Sequence, residues 1–266
     1  MRRRESSSAR HASDARRHPL TYDDVGDPGG VPVVYLHGGG DSRLSRHPDD
    51  TIAAALGVRL LAVDRCGPER PGRTLRSVAD EVVELLDSLE IDRFAVLGWS
   101  AGGPHALAVA VAGGERVSRV GLVGSMPPHD QLDALPKDVR RVMWLARRSP
   151  RLAACGLERW GRRPPPPTGD LLTDDAYARG RSESFRAGGL WLARELAYLG
   201  RPWEFDLADV RTPVALWWGE GDFVCPPSIA AEYARRLPST TMHLVDGTHQ
   251  LLFSRWRDIL ADAAAA

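Results

Sequence analysis

Three residues far apart in the chain have the types and settings to form one reagent: Ser100, Asp222 and His249. Ser100 is the middle of Gly98-Trp99-Ser100-Ala101-Gly102, between the apolar run Phe94–Leu97 and a small-residue helical pattern. That is strand, sharp turn and helix, with a hydroxyl at the tip of the turn. The glycines fit because such a turn is strained and its helix must pass close to the strand. A serine hydroxyl is a poor nucleophile until a neighbouring base takes its proton. Histidine does this near neutral pH, and a buried carboxylate fixes the imidazole tautomer. His249 closes Asp246-Gly-Thr-His249, and Asp222 closes Gly219-Glu-Gly-Asp222, each after an apolar run. Competing acids are Asp130, Asp246 and Glu220. Competing bases are His105, His129 and His243. His105 falls inside a helical pattern and His243 inside a strand pattern, where histidines serve packing.

An acyl-transfer reaction also needs donors for the oxyanion. One is the N–H of Ala101, at the head of the helix after the serine. The other belongs to His37-Gly38-Gly39-Gly40-Asp41, directly after the strand pattern Val31–Leu36. Gly39 is the expected donor, with Gly38 as the neighbouring candidate. His37 is read as shaping this loop rather than reacting. Trp99, beside the nucleophile, is a candidate for the substrate-binding wall and equally for the core.

The elements that must position these groups alternate. Strand patterns run over 31–36, 58–63, 94–97, 119–124, 213–218 and 240–245, with an early strand within 19–27. Helical patterns run over 47–56, 74–90, 228–237 and 250–262. This predicts an α/β fold, a mostly parallel central sheet flanked by helices on both faces. Ligands of such sheets sit beyond the carboxyl ends of the strands, where Ser100, Asp222 and His249 all fall. Residues 126–205 break the alternation: helical stretches, clearest at 131–148 and 189–199, and a rigid break at Pro164–Pro167. The division expected is a core of 19–125 and 206–266, a helical cap of 126–205, and a basic tail of 1–18 too polar to order. Trp144, Trp160, Trp191 and Trp203 lie in the cap, half of the chain's 8 tryptophans. Its single lysine, Lys137, stands among many arginines, with no dense basic cluster expected for phosphorylated substrates.

Bulk properties exclude some classes. With 266 residues the chain can build one large domain. Lys+Arg and Asp+Glu are both 35, which argues against a nucleic-acid or membrane-surface partner. No apolar run approaches the roughly 18 residues of a membrane span, and no secretory signal is visible. Cys66, Cys155 and Cys225 show neither metal spacing nor a disulfide framework, which fits a reducing cytoplasm and no metal.

The loop LHGGGDSR, the pair Asp64-Arg65, the elbow GWSAGGPHALA, the run WWGEGD and the run DGTHQ together resemble the α/β-hydrolase fold family, in its capped branch. The resemblance covers about residues 22–262 and is weakest in the cap. It implies Ser100 as nucleophile, Asp222 as acid, His249 as base, and cofactor-free hydrolysis of an ester-like bond. A serine at position 100 sets the chain apart from branches with an aspartate there. The run from Asp64 to Thr74 departs from the family's usual pattern, which bears on substrate range.

The expected function is a serine hydrolase acting through an acyl-enzyme on small to medium carboxylic esters, with a small-molecule substrate and no cofactor. The alternatives are a ligand-binding receptor or pseudoenzyme on the same fold, or the same triad applied to amide, thioester, C–C or peracid chemistry. The oligomeric state is not legible.

Overall fold

The computed structural model describes residues 20–65 and 72–265. The basic tail, and most of the run between Asp64 and Thr74, therefore lie outside the described residues. Seven strands form one sheet: β1 (Tyr22–Gly26), β2 (Val31–Leu36), β3 (Val58–Val63), β4 (Phe94–Trp99), β5 (Val117–Val123), β6 (Val214–Gly219) and β7 (Thr240–Val245). Their spatial order is β1-β3-β2-β4-β5-β6-β7. β1 pairs antiparallel with β3, and every other neighbouring pair is parallel. The predicted mostly parallel sheet is thus the one found. β4, which leads into Ser100, is buried along its whole length.

Successive residues of each strand supply opposite faces. Val34, Leu36, Val96, Leu122, Leu216 and Trp218 belong to one apolar layer, and Val33, Tyr35, Leu97, Trp99 and Trp217 to the other. The first layer is closed by α2 (Leu75–Ser88), α3 (Gly102–Gly113) and α8 (Pro227–Arg236). The second is closed by α1 (Thr51–Ala55), α9 (Leu251–Ser254) and α10 (Trp256–Ala264). α2 starts at a capping box between Thr74 and Ser77 and buries Val78, Val82, Leu85 and Leu86, as its spacing predicts. α3 is apolar all round and is wedged between its neighbours. The expected helix over 47–56 shortens to α1, and the closing helix breaks at Arg255 into α9 and α10.

Between β5 and β6 the chain forms α4 (Lys137–Arg148), α5 (Pro150–Gly161), α6 (Leu171–Phe185) and α7 (Leu190–Leu199). The prolines 164–167 fall in the link between α5 and α6. The insertion sits on the carboxyl ends of the strands. A Cβ added at Gly40 would come within 2.6 Å of Trp160, and one at Gly39 within 3.5 Å of Leu192. Among the described residues, no helix is long and apolar enough to cross a membrane.

Candidate active site

Ser100 has φ of +54°, a left-handed conformation uncommon for a residue with a side chain. The surrounding backbone holds it there: Ser100 N donates to Val123 O at 2.9 Å, and Ser100 O accepts from Gly103 N and Met126 N, each at 3.0 Å. The glycines of the elbow are steric requirements. A Cβ at Gly98 would collide with the carbonyl of Gly102, and one at Gly102 with the carbonyl oxygens of Leu36 and His37.

The sequence separation of Ser100, Asp222 and His249 closes in space. His249 Nε2 lies 3.0 Å from Ser100 Oγ, and His249 Nδ1 lies 2.8 Å from Asp222 Oδ2. Asp222 is buried, and its Oδ1 accepts from the N–H groups of Val224 at 2.9 Å and Cys225 at 2.8 Å. With Oδ1 held by backbone, Oδ2 faces imidazole. That assigns the Nδ1 proton to the aspartate side and leaves the Nε2 lone pair on the serine. Gly124, at φ +46°, makes the approach possible, since a Cβ there would stand 2.9 Å from Asp222 Oδ2 and 3.2 Å from His249 Nδ1.

The competitors fall elsewhere. Asp130 is exposed and pairs with Arg236 at 2.8 Å. Glu220 and Asp246 are exposed. His243 stacks on Trp217 with centroids 4.1 Å apart, and His129 lies 6.0 Å from the Trp203 ring. His105 is fully buried, with Nδ1 2.8 Å from Ala101 O and Nε2 2.8 Å from the Tyr198 hydroxyl. Burial, with Arg65 nearby, holds its pKa well below the ordinary histidine value.

The glycine loop lies beside the elbow. The Cβ position of Gly39 is 3.3 Å from Ala101 Cβ, while that of Gly38 points back at Asp41 Oδ2 and Trp99. Among the described residues, neither the Gly39 nor the Ala101 N–H has an acceptor within the protein. His37 Nδ1 reaches Gly38 O at 2.8 Å, and burial together with the Arg65 charge keeps the ring neutral by lowering its pKa. It shapes the loop, as expected of it.

Trp99 requires a correction. It is 1 % exposed, donates Nε1–H to His249 O at 3.0 Å, and packs on Tyr177, His249 and Phe253. A ring closed in on all these sides supports the His249 loop from below and does not line a substrate wall. The insertion's tryptophans also divide. Trp144 is 56 % exposed with Arg148 over its ring, whereas Trp191 is buried and donates to Ser184 O at 2.7 Å. Against the expectation of no dense basic cluster, Arg162, Arg163, Arg181 and Arg186 line one cavity of about 570 Å³ in the insertion.

Several polar residues near the site had no role assigned from the sequence. Asp41 is 3 % exposed, with Arg181 Nε 3.9 Å from its Oδ1. Burial raises its pKa to about 6, against the opposing pull of Arg181. Arg181 is itself buried, with its guanidinium 4.2 Å from the Trp160 centroid and 5.2 Å from that of Tyr177. Arg65 and Glu195 form an ion pair at 2.9 Å in which both side chains are fully buried.

Comparison with known proteins places the chain. Residues 33–263 match the model of the alpha/beta hydrolase family. A 2-hydroxy-6-oxononadienedioate/2-hydroxy-6-oxononatrienedioate hydrolase of Cupriavidus pinatubonensis is 27 % identical over 81 % of this chain and 79 % of its own length. The dihydrolipoyllysine-residue acetyltransferase component of an acetoin cleaving system from Pseudomonas putida is 33 % identical, over 40 % of this chain and only 30 % of that protein. An esterase from Exiguobacterium antarcticum shares the fold at a TM-score of 0.68 and 18 % identity, covering 93 % of this chain and 96 % of that one. On the family match over nearly the whole described sheet and insertion, the chain belongs to the alpha/beta hydrolase family.

Proposed function

We propose that the protein is a serine hydrolase acting on small to medium carboxylic esters through an acyl-enzyme. The observation that carries this reading is the continuous relay from Ser100 Oγ through His249 to Asp222, with contacts of 3.0 and 2.8 Å. Ser100 Oγ attacks the ester carbonyl carbon while His249 Nε2 takes the hydroxyl proton. The negative charge on the former carbonyl oxygen faces the N–H groups of Gly39 and Ala101. Asp222 holds the imidazolium that forms. The tetrahedral species collapses, the C–O bond to the leaving group breaks, and His249 returns its proton to the departing alcohol. Water, deprotonated by the same nitrogen, then attacks the acyl carbon, and the acid leaves as Ser100 is regenerated.

The insertion acts as a cap. Leu192, on α7, and Trp160, at the end of α5, close on the glycine loop, which favours substrates that fit beneath them. Each buried methylene contributes about 0.8 kcal/mol until the space is filled, so acetyl to octanoyl esters are expected to outpace palmitoyl esters.

The test is a fluorophosphonate probe with peptide mapping, followed by a panel of 4-nitrophenyl esters from acetyl to palmitoyl. Labelling at Ser100 with turnover of the shorter esters is the expected result. No labelling and no turnover would return the fold to a receptor or pseudoenzyme. Labelling without ester turnover would move the chemistry to amide, thioester, C–C or peracid substrates.

A further inference from the structure

The Arg65–Glu195 pair is buried where neither charge meets solvent, and it joins the insertion to the glycine loop. Glu195 comes from α7; Arg65 follows the end of β3. Arg65 Nε and Nη2 both bond Glu195 Oε1, at 3.1 and 2.9 Å. The same guanidinium turns its other donors on the loop backbone. Nη1 donates to His37 O, and Nη2 reaches Gly38 O at 3.4 Å. Its main-chain N–H faces His37 Nε2, also at 3.4 Å. That contact favours the tautomer in which His37 Nδ1 carries the proton and donates to Gly38 O, 2.8 Å away.

The direction of the Gly38 carbonyl matters because the peptide is planar and trans. In such a unit the carbonyl of one residue and the N–H of the next point opposite ways. Holding Gly38 O toward Arg65 and His37 therefore turns the Gly39 N–H away from them, and the Gly39 Cβ position stands 3.3 Å from Ala101 Cβ. Glu195 Oε2 is 3.9 Å from that same position. A bare carboxylate so close would oppose a developing oxyanion; the Arg65 charge offsets it.

We infer that Arg65 and Glu195 form a buried brace that aims the Gly39 N–H and makes that donor depend on how the insertion is seated. The inference rests on the proposed reading of Ser100 and the oxyanion donors. Arg65 is a positioning residue: it acts on the oxyanion through the Gly38–Gly39 peptide. The insertion then has a role beyond covering substrate, since displacing α7 removes the anchor that fixes the guanidinium.

The test compares wild type with Arg65→Lys, Arg65→Met and the double variant Arg65→Met/Glu195→Met. Each is assayed on a 4-nitrophenyl ester and on its thiono analogue, in which C=S replaces C=O. Sulfur is a poor hydrogen-bond acceptor, so the rate advantage of the oxygen ester reports on the oxyanion donors. Arg65→Lys keeps a cation opposite Glu195 but loses the planar fork. The double variant removes both charges together, so neither member of the pair is left buried without the other. Its melting temperature is expected close to wild type even where Arg65→Met alone unfolds.

The expected result is a fall in kcat of about 10- to 100-fold in the double variant, with KM within about twofold. The oxygen-over-sulfur preference is expected to fall by about tenfold, and Arg65→Lys to lie between it and wild type. Folded variants with wild-type kcat, or with a reduced kcat but unchanged oxygen-over-sulfur preference, would overturn the brace while leaving the Ser100 reading intact. A wild-type protein with no Ser100-dependent turnover would overturn that reading and the brace with it.

Discussion

Asp41 shows how much one buried side chain can couple to pH. Its pKa is raised from 3.8 to about 6, with burial the largest cause. The folded state therefore binds this proton more tightly than the unfolded state. Between about pH 4 and 6 the native protein carries more protons here, so the contribution of Asp41 to stability falls as pH rises. Two units correspond to about 3 kcal/mol, an order-of-magnitude figure. Asp41→Asn is expected to gain about 2–3 kcal/mol over wild type at pH 7 and little at pH 4, read from urea unfolding at both values. Equal differences at the two pH values would show that the carboxyl titrates normally. Gly124 makes a second case. Its positive φ and the 2.9 Å approach of Asp222 Oδ2 to its Cβ position leave no room for a methyl group. Gly124→Ala is expected to lower kcat by at least about tenfold while the protein still folds, because the Asp222–His249 pair must shift. Unchanged kcat would mean that the pair tolerates the displacement. Ser100, Asp222 and His249 were legible in the sequence because each ends an apolar run at the same end of the sheet. Gly124 was not, because its role exists only once β5 and the two loops meet.

At the scale of elements, helices with an ordinary apolar stripe were readable and those with a polar buried face were not. α2 and α7 bury leucine, valine and alanine at helical spacing. α6 buries Thr173, Ala176, Tyr177, Gly180 and Arg181, which is helical spacing with unhelpful residue types, and it exposes Leu171 and Leu172. Hydropathy periodicity cannot see such a face. Its logic is contact: Ser45 fills the space beside Gly180, and Trp99 meets Tyr177 at 5.6 Å. The insertion's tryptophans follow the same division. Trp191→Ala, in α7, is expected to cost about 3–5 kcal/mol of stability and to alter the chain-length preference of ester hydrolysis. Trp144→Ala, on the exposed side of α4, is expected to stay within about 0.5 kcal/mol with unchanged preference. Thermal unfolding and the ester panel check both, and a Trp144 effect as large as that of Trp191 would contradict this assignment of faces.

For the whole molecule, the sheet gathers chemistry that the chain disperses. The carboxyl ends of β2, β3, β4, β5, β6 and β7 deliver the glycine loop, Arg65, Ser100, Gly124, Asp222 and His249 to one edge, and the insertion closes over it. Alternating strand and helix patterns disclosed this core arrangement in advance, because a buried parallel strand is written in consecutive apolar residues. The polar network behind the glycine loop was not disclosed. Arg65 and Glu195 are 130 positions apart, and nothing local marks a charged residue for full burial. The same geometry ranks the acids. Asp222→Asn is expected to lower kcat by about 10⁴-fold through the wrong imidazole tautomer, while Asp130→Asn and Asp246→Asn leave it within about twofold.

The most direct measurement is the kcat/KM of purified Ser100→Ala beside wild type on a short 4-nitrophenyl ester, with melting temperatures taken on the same samples. Wild-type turnover with a loss of at least about 10⁴-fold in the variant, at an unchanged melting temperature, is the expected result. A folded Ser100→Ala protein that keeps wild-type turnover would contradict the assignment of Ser100 as the nucleophile.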